Sequence, residues 1–472
     1  MKRMFAVVVG AALLGGCAVT PPPTDLTEPL PGAWYAPPLP HQGQAASLTD
    51  WWAQLGDPVL ADLIAQAQAR SASVAAARAQ VAAARAALAG ADSAAGPQLA
   101  AVASASRLQE QGVPLGNAVG AGLQASWALD VWGQNAASVR QASAQQGAAN
   151  AGWHEARVLV AAETARLYQG HRACRVQLEI TRGDQQSRRA TADSAGVSER
   201  AGLTAPAVSA LARASNADAE GRLAQQTSQC EQQLKAMVAL TGEAEPALRE
   251  RLGASSALSD PQRMAERLSV GAVPADVIRQ RPDVARAQRE LSAAAEGVGV
   301  ARAALWPSLS LSGSWLRNRF STSAGDTTFN TWSVGPLTLS LPLTGRGGLN
   351  AAADAAQARY EAAGLAYAAT LRQAVAEVER SLVALSALQQ QQSSSRDAVA
   401  GYTRSFDATQ ARYRVGLANL NELEEARRLK LNADSGAVAL QLEQLNTWIG
   451  LYVALGGGFD PQVTPEPVRK PS

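Results

Sequence analysis

The residues best suited to enzyme chemistry are few in this 472-residue chain, and they are poorly spaced for it. The histidines are His41, His154 and His171. The last two lie about five helical turns apart, so they could share a helix face but could not share one metal ion. None of the lysines follows a glycine, as a phosphate-binding loop requires, and no Gly-x-Ser-x-Gly motif occurs. We therefore predict no catalytic residues, no metal site and no cofactor.

The amino terminus predicts a covalent lipid anchor. Residues 1–16 combine two basic residues, a short apolar run and a small-residue end, which is the pattern of a secretory signal peptide. Cys17 follows Leu-Gly-Gly, as the lipidated cysteine of a bacterial lipobox does. An unmodified cysteine within a signal peptide is the alternative. Residues 17–47 are rich in proline, which favours an extended, lipidated tether.

Two segments of mixed polarity predict β-hairpins at 97–132 and 307–343. In the second, residues 308–312 alternate serine and leucine, which is the period of a half-buried strand. Glycine-containing stretches interrupt both segments. We therefore place the connecting loops at 109–120 and 321–330.

Each hairpin leads into a long segment with helical character. No proline occurs in residues 134–198 or 348–412, so each could form one helix of roughly 100 Å. Apolar residues in the second segment step by four and three, as in a coiled-coil seam. The seam residues are Leu371, Val375, Val378, Leu382 and Leu385.

The chain contains an internal duplication. Similar turns at Gly202 and Gly416 fold the long segments into helical hairpins, 134–243 and 348–452. The predicted organisation is a signal peptide (1–16), a tether (17–47), a first repeat (48–245), an equatorial connector (246–275), a second repeat (276–455) and a tail (456–472).

These elements predict an oligomeric membrane protein. No segment after residue 16 has the roughly 20 apolar residues of a membrane helix. Four strands cannot close a membrane barrel, and open sheet edges are not tolerated in lipid. We therefore predict a mixed, mainly α fold: three copies share a twelve-strand transmembrane β-barrel with its loops outside the cell, and the helical hairpins form a periplasmic α-barrel. The alternative is an elongated coiled-coil lipoprotein that acts as a structural spacer.

The two cysteines other than Cys17 predict a disulfide bond. Cys174 and Cys230 lie at equal distances from the turn at Gly202. In an antiparallel helix pair, such residues lie at the same height, and an oxidising compartment favours the bond. Two small buried thiols are the alternative. The net charge of +2 indicates no large basic face, so no nucleic-acid partner is expected.

A set of short motifs occurs in a fixed order along the mature chain. The motifs are Trp51-Trp52, Trp127 to Gly133, Arg281 to Val284, Gly297 to Arg302, Trp306 to Leu311 and Arg412 to Gly416. In this order they resemble the outer-membrane factors of the TolC type, in particular the lipoprotein branch called OprM or NodT.

The resemblance implies a homotrimer in the cell outer membrane that extends into the periplasm, with membrane lipid, a periplasmic adaptor protein and an inner-membrane pump as partners. It implies the passive exit of small organic compounds or drugs. A type I protein secretion duct is the alternative.

The second periplasmic turn carries a candidate gate. After Gly416, one helical stripe is formed by Leu417, Asn421, Glu425 and Arg428. Leu420, Leu423 and Leu431 lie to one side of it, where they can pack against a neighbouring helix. The resemblance implies that the channel narrows here and places its aperture at Asn421, Glu425 and Arg428. The alternative is a solvated acidic face made of Glu422, Glu424 and Glu425.

Overall fold

The protomer consists of very long helices and one antiparallel sheet. The computed structural model describes residues 18–24, 31–36, 51–54, 56–110, 113–253, 258–259, 278, 280–323, 325–460 and 462–465. The predicted signal peptide, Cys17 and most of the predicted connector lie outside the described residues.

The same order of elements occurs twice along the chain. The first half contains α1 (Trp51–Gln54), α2 (Pro58–Arg70), α3 (Ala72–Ala95), β1 (Gln98–Glu110), β2 (Val113–Leu129), α4 (Gln134–Arg200), α5 (Pro206–Thr241) and α6 (Glu245–Gly253). The second half contains α7 (Pro282–Ala303), β3 (Ser308–Thr322), β4 (Gly325–Ser340), α8 (Arg346–Arg414) and α9 (Leu420–Ala454). Helix, hairpin, long helix, turn and return helix therefore repeat as predicted.

The two predicted long helices are continuous. Helix α4 has 67 residues and α8 has 69, so each is roughly 100 Å long. Asp130 caps the start of α4, where its carboxylate accepts hydrogen bonds from the backbone N–H groups of Asn135 (3.0 Å) and Ala136 (2.8 Å). The far ends turn at Gly202 and Gly416, whose φ values of +70° and +76° suit glycine. Among the described helices, none is both long enough and apolar enough to cross a bilayer.

The four strands form one sheet in the order β1-β2-β3-β4, with every neighbouring pair antiparallel. Its open edges are β1 and β4. The positions of both hairpins are confirmed, but the predicted loops are wrong. Most of 109–120 belongs to β1 or β2, and most of 321–330 belongs to β3 or β4.

The glycines of β2 explain why the first loop was misplaced. A side chain at Gly116 would put its Cβ 2.9 Å from the backbone oxygen of Ser321, and one at Gly120 would put it 2.5 Å from the side chain of Asn318. These glycines therefore permit close approach of β3 within a regular strand, and they do not mark a turn.

The core lies where the two halves meet, about midway along the helices. The indole of Trp51 stacks on the Tyr452 ring with centroids 4.7 Å apart, and Trp51 is fully buried. The predicted seam is confirmed, since all of its residues except the partly buried Val375 are buried. Arg281 is also buried here, and it bonds to the Ala454 carbonyl (2.8 Å) and to Asp283 at the start of α7.

Candidate channel, gate and anchor sites

The two faces of the sheet differ in polarity. One face carries rows of exposed apolar side chains. They include Leu99, Leu123, Trp127, Trp315, Trp332, Val334, Leu337 and Leu339. The opposite face is more polar and carries Gln124, Ser126, Ser312, Ser314 and Ser333, although Leu316, Phe320 and Phe329 also lie on it near the hairpin turns. Strands that alternate in this way suit lipid on one side and water on the other.

An amino-terminal strap, residues 18–24, lies at the junction between the sheet and the helices. The Val19 N–H donates to the carbonyl of Trp132 (3.1 Å), and the Tyr360 hydroxyl donates to the carbonyl of Pro23 (2.7 Å). Trp132 stacks on Trp306 with centroids 4.9 Å apart. The strap therefore starts beside the segment that joins β2 to α4, and it continues to α8, where Tyr360 lies.

The predicted gate residues lie at the tip of the second helical hairpin, on the first turns of α9. Glu425 and Arg428 form an ion pair (2.6 Å) and remain 55% and 57% exposed. The hydrogen bond from Arg428 lowers the pKa of the Glu425 carboxyl. Asn421 is exposed one turn earlier. The three side chains therefore form one exposed polar stripe within the protomer.

The apolar side of this turn packs as predicted. Leu420 and Leu423 are buried, and Leu431 is partly buried. Leu420 contacts Ala192 of α4 and Ala212 of α5. Helix α9 is therefore held against the first helical hairpin by residues adjacent to the polar stripe.

A buried ion cluster beside the stripe was missed by the sequence analysis. Glu424 accepts from Arg188 of α4, from Arg427 and from the Ser215 hydroxyl (2.9 Å). Arg188 also pairs with Asp184 at 3.0 Å. These residues form the tip cluster, which we define as Asp184, Arg188, Glu424 and Arg427.

Burial distinguishes the tip cluster from the exposed stripe. The side chain of Arg427 is 3% exposed and that of Glu424 is 18% exposed. Burial lowers the pKa of the Arg427 guanidinium. The alternative of a solvated acidic face is therefore wrong for Glu424, because this carboxylate faces α4. A signal was present in the sequence: Asp184 and Arg188 have the i,i+4 spacing of a helical ion pair, and Glu424 and Arg427 have the i,i+3 spacing.

The structure brings the two predicted disulfide partners together. The Sγ atoms of Cys174 and Cys230 are 2.01 Å apart, and their Cα atoms are 5.6 Å apart. Cys174 lies on α4 and Cys230 on α5. Both are buried, and the bridge joins the two arms of the first helical hairpin.

The two helical histidines are separated and lie in different surroundings. Nε2 of His154 is 2.8 Å from the carbonyl oxygen of Val463, and the ring packs against Phe459. His171 is buried on the same helix. Burial lowers the pKa of both imidazoles. No group of three metal-ligating side chains occurs in the part of the chain that the structure describes.

The sequence matches the family model described as outer membrane efflux protein over residues 63–243 and 273–457. The pyoverdine export outer membrane protein OpmQ of Pseudomonas aeruginosa is 29% identical, and the match covers 97% of each chain. The probable efflux pump outer membrane protein TtgC of Pseudomonas putida is 26% identical, with 97% of this chain and 96% of that protein covered.

Solved structures share the same fold. The outer-membrane channel OprN superposes with a TM-score of 0.82 at 24% identity, covering 93% of this chain and 99% of that one. The CmeC outer membrane channel of Campylobacter jejuni has a TM-score of 0.80 at 21% identity, covering 95% and 96%. The long helices, the sheet and the family match together show that the chain belongs to the outer membrane efflux protein family, as a TolC-type channel of the OprM/NodT branch in the outer membrane that extends into the periplasm.

Proposed function

We propose that three copies of this chain assemble into one passive exit duct. The observation that carries the proposal is the sheet, which has an apolar face and two open edges, β1 and β4. Open edges are not tolerated in lipid, so β4 of one copy would pair with β1 of the next. Three copies then close a barrel of twelve strands.

We propose further that the duct receives its cargo from an inner-membrane pump through a periplasmic adaptor. The names of the two relatives refer to pyoverdine export and to an efflux pump. By analogy we assign small organic compounds, including drugs, to this channel. The exposed polar stripe and the tip cluster lie at the end of the helices farthest from the sheet, where an adaptor would dock.

The periplasmic tip would act as the gate of the duct. Asn421, Glu425 and Arg428 of three copies would converge at the axis. Three carboxylates there repel one another unless each is paired, and the Glu425–Arg428 ion pair supplies that partner. Exposed pairs contribute only about 0.2–1 kcal/mol each. Three such pairs would favour the closed state by only about 0.6–3 kcal/mol, so the isolated trimer would still open part of the time and a partner protein could hold it open.

The lipid anchor would hold the junction between barrel and helices at the membrane surface. Ala18 follows the proposed acylation site, Cys17, and the strap passes Trp132 at the end of the sheet. An acyl chain at this place reaches the periplasmic leaflet without further extension of the strap. Each buried methylene adds about 0.8 kcal/mol to membrane binding.

Two measurements test the duct. Purified protein in neutral phospholipid bilayers should conduct ions in steps, and its mass in detergent should correspond to three chains. A monomer that conducts, or a trimer that never conducts, would overturn the proposal.

A deletion strain tests the class of cargo. It should become sensitive to drugs and still secrete its proteins normally; loss of protein secretion without drug sensitivity would indicate a type I secretion duct instead.

A further inference from the structure

The outward face of the sheet carries three arginines near the hairpin turns. Alternation along each strand places Arg317 and Arg319 of β3 on the same face as Trp315 and the other apolar rows. Arg107 of β1 lies on this face too. It is in register with Asn117 of β2, which pairs with Ser321 of β3, and Ser321 is two residues from Arg319 and therefore on the same face. All three arginines are exposed.

The register fixes how high these arginines lie on the sheet. Arg317 is paired with Ala121, and Arg319 with Val119. On β2 the apolar face therefore continues from Leu129 as far as Val119, about 33 Å along the strand. At a barrel tilt of about 40°, this length covers the roughly 25 Å height of an outer-membrane apolar band.

The arginines consequently lie at the upper edge of the apolar band. The helices leave the sheet at the opposite end, after Leu129 and Ser340, so the hairpin end faces the outer leaflet. A guanidinium at this depth extends toward the headgroups and keeps its aliphatic stem against lipid.

The charges at this edge are not balanced within the protomer. Arg319 forms an ion pair with Asp326, which lies on the same face. Among the residues that the structure describes, Arg107 and Arg317 form no ion pair. The face therefore presents a net positive charge where an outer leaflet places its headgroups.

We infer that this patch, Arg107, Arg317 and Arg319, binds the phosphates of an anionic lipid in the outer leaflet, of the phosphorylated glycolipid class. Arg317 and Arg319 are about 7 Å apart along β3, and Arg107 lies about two strand spacings away. The long side chains of these arginines can therefore reach the two phosphates of one lipid headgroup from both strands. Ala121 and Val119 of β2 lie between the strands that carry the arginines, and together with Ala105 of β1 they give the acyl chains an apolar surface.

Arginine is suited to this role because its planar fork donates two parallel hydrogen bonds to a phosphate. The inference rests on the proposed trimeric barrel, which places this face in lipid. It adds a specific lipid partner, which the duct activity does not require.

Binding of lipid A to the purified trimer, followed by native mass spectrometry, tests the inference. A basic residue near a membrane surface contributes about a fivefold gain in affinity for anionic lipid. The double variant Arg107→Gln/Arg317→Gln should therefore bind lipid A with two phosphates roughly 25-fold more weakly than the parent. Asp326→Asn should bind it more tightly, because Arg319 is released. Arg404→Gln, on the exposed surface of α8, is the matched control and should bind like the parent.

Dephosphorylated lipid A supplies the second comparison. It carries the same acyl chains, so the parent should bind it at least as weakly as the double variant binds the phosphorylated form. Equal binding of the two lipids by the parent, or parental binding by the double variant, would overturn the inference. Stepwise conductance in neutral bilayers is measured on the same preparations; its loss would count against the duct itself, whereas normal conductance with unchanged lipid binding would overturn only the lipid site.

Discussion

Arg427 of α9 donates a hydrogen bond to the Thr191 hydroxyl of α4 across 3.0 Å, although 236 residues separate them. Arg427 also pairs with Glu424, which in turn accepts from Arg188 of α4. The second helical hairpin is therefore attached to the first by a buried ionic contact next to the proposed aperture. Any opening of the periplasmic tip that moves α9 away from α4 must break this contact.

The tip cluster predicts a difference between two adjacent glutamates. Glu424→Ala leaves the buried guanidinium groups of Arg188 and Arg427 without this carboxylate. Such a change lowers the free energy of unfolding by about 3–5 kcal/mol, and it should loosen α9 from α4. Glu425→Ala removes only an exposed ion pair and should cost less than about 1 kcal/mol. Thermal melting and protease cleavage near Gly416 measure the effect. Equal melting temperatures for the two variants would show that the tip cluster does not stabilise the tip.

The proposed aperture predicts a change in conductance. Glu425→Ala combined with Arg428→Ala removes the paired ring and should raise the single-channel conductance. Glu425→Ala alone removes three carboxylates from the axis and should weaken the preference for cations. Conductance and ion selectivity that match the parent in both variants would move the constriction elsewhere, with the turn at Gly202 as the next candidate.

The bridge between Cys174 and Cys230 predicts the thiol content of the mature protein. Unfolded, unreduced protein should show no reactive thiol at either position, and reduction should expose both. The enclosed loop has a sequence separation of 56 residues, so the chain-entropy model gives about 4 kcal/mol of stabilisation. Cys174→Ala/Cys230→Ala should therefore melt at a lower temperature. Two reactive thiols before reduction would exclude the bond.

The proposed anchor predicts the fate of the precursor. Cys17→Ala should accumulate as uncleaved chain and incorporate no labelled palmitate. Cys174→Ala should be labelled normally, because its cysteine lies in the periplasmic helices. The barrel of Cys17→Ala should still insert, since the strands provide a second attachment. Normal labelling of Cys17→Ala would place the lipid on another residue.

The buried histidines predict a loss of stability in mild acid. Burial lowers the folded-state pKa of His154 below its ordinary value of about 6.5, so the unfolded chain binds protons more readily. Stability contributed by this residue is complete above about pH 6.5 and falls as the pH drops toward the lowered folded-state pKa. His171 acts in the same direction. His154→Asn should flatten the dependence of the melting temperature on pH between 7 and 5, and an unchanged slope would contradict the assignment.

Local patterns were sufficient to predict the elements and several of their contacts. The absence of proline predicted both long helices to within two residues at either end, because helix continuity depends on local backbone chemistry. The equal sequence distances of Cys174 and Cys230 from Gly202 placed the two sulfur atoms side by side. Both helices rise by the same amount per residue, so residues equally far from the turn lie at the same height along an antiparallel pair. The alternation of serine and leucine located β3, because a period of two residues is itself a local property of a strand with two different faces.

Contacts between distant elements required the tertiary structure. Glu424 and Glu425 are adjacent and chemically identical, and only the position of α4 makes one a buried partner of Arg188 and leaves the other exposed. Gly116 and Gly120 are of a residue type common in loops, yet the close approach of β3 requires glycine at both positions within a regular strand. Local propensity describes a residue and its neighbours in sequence, whereas burial and ion pairing depend on which other segment of the chain packs against it.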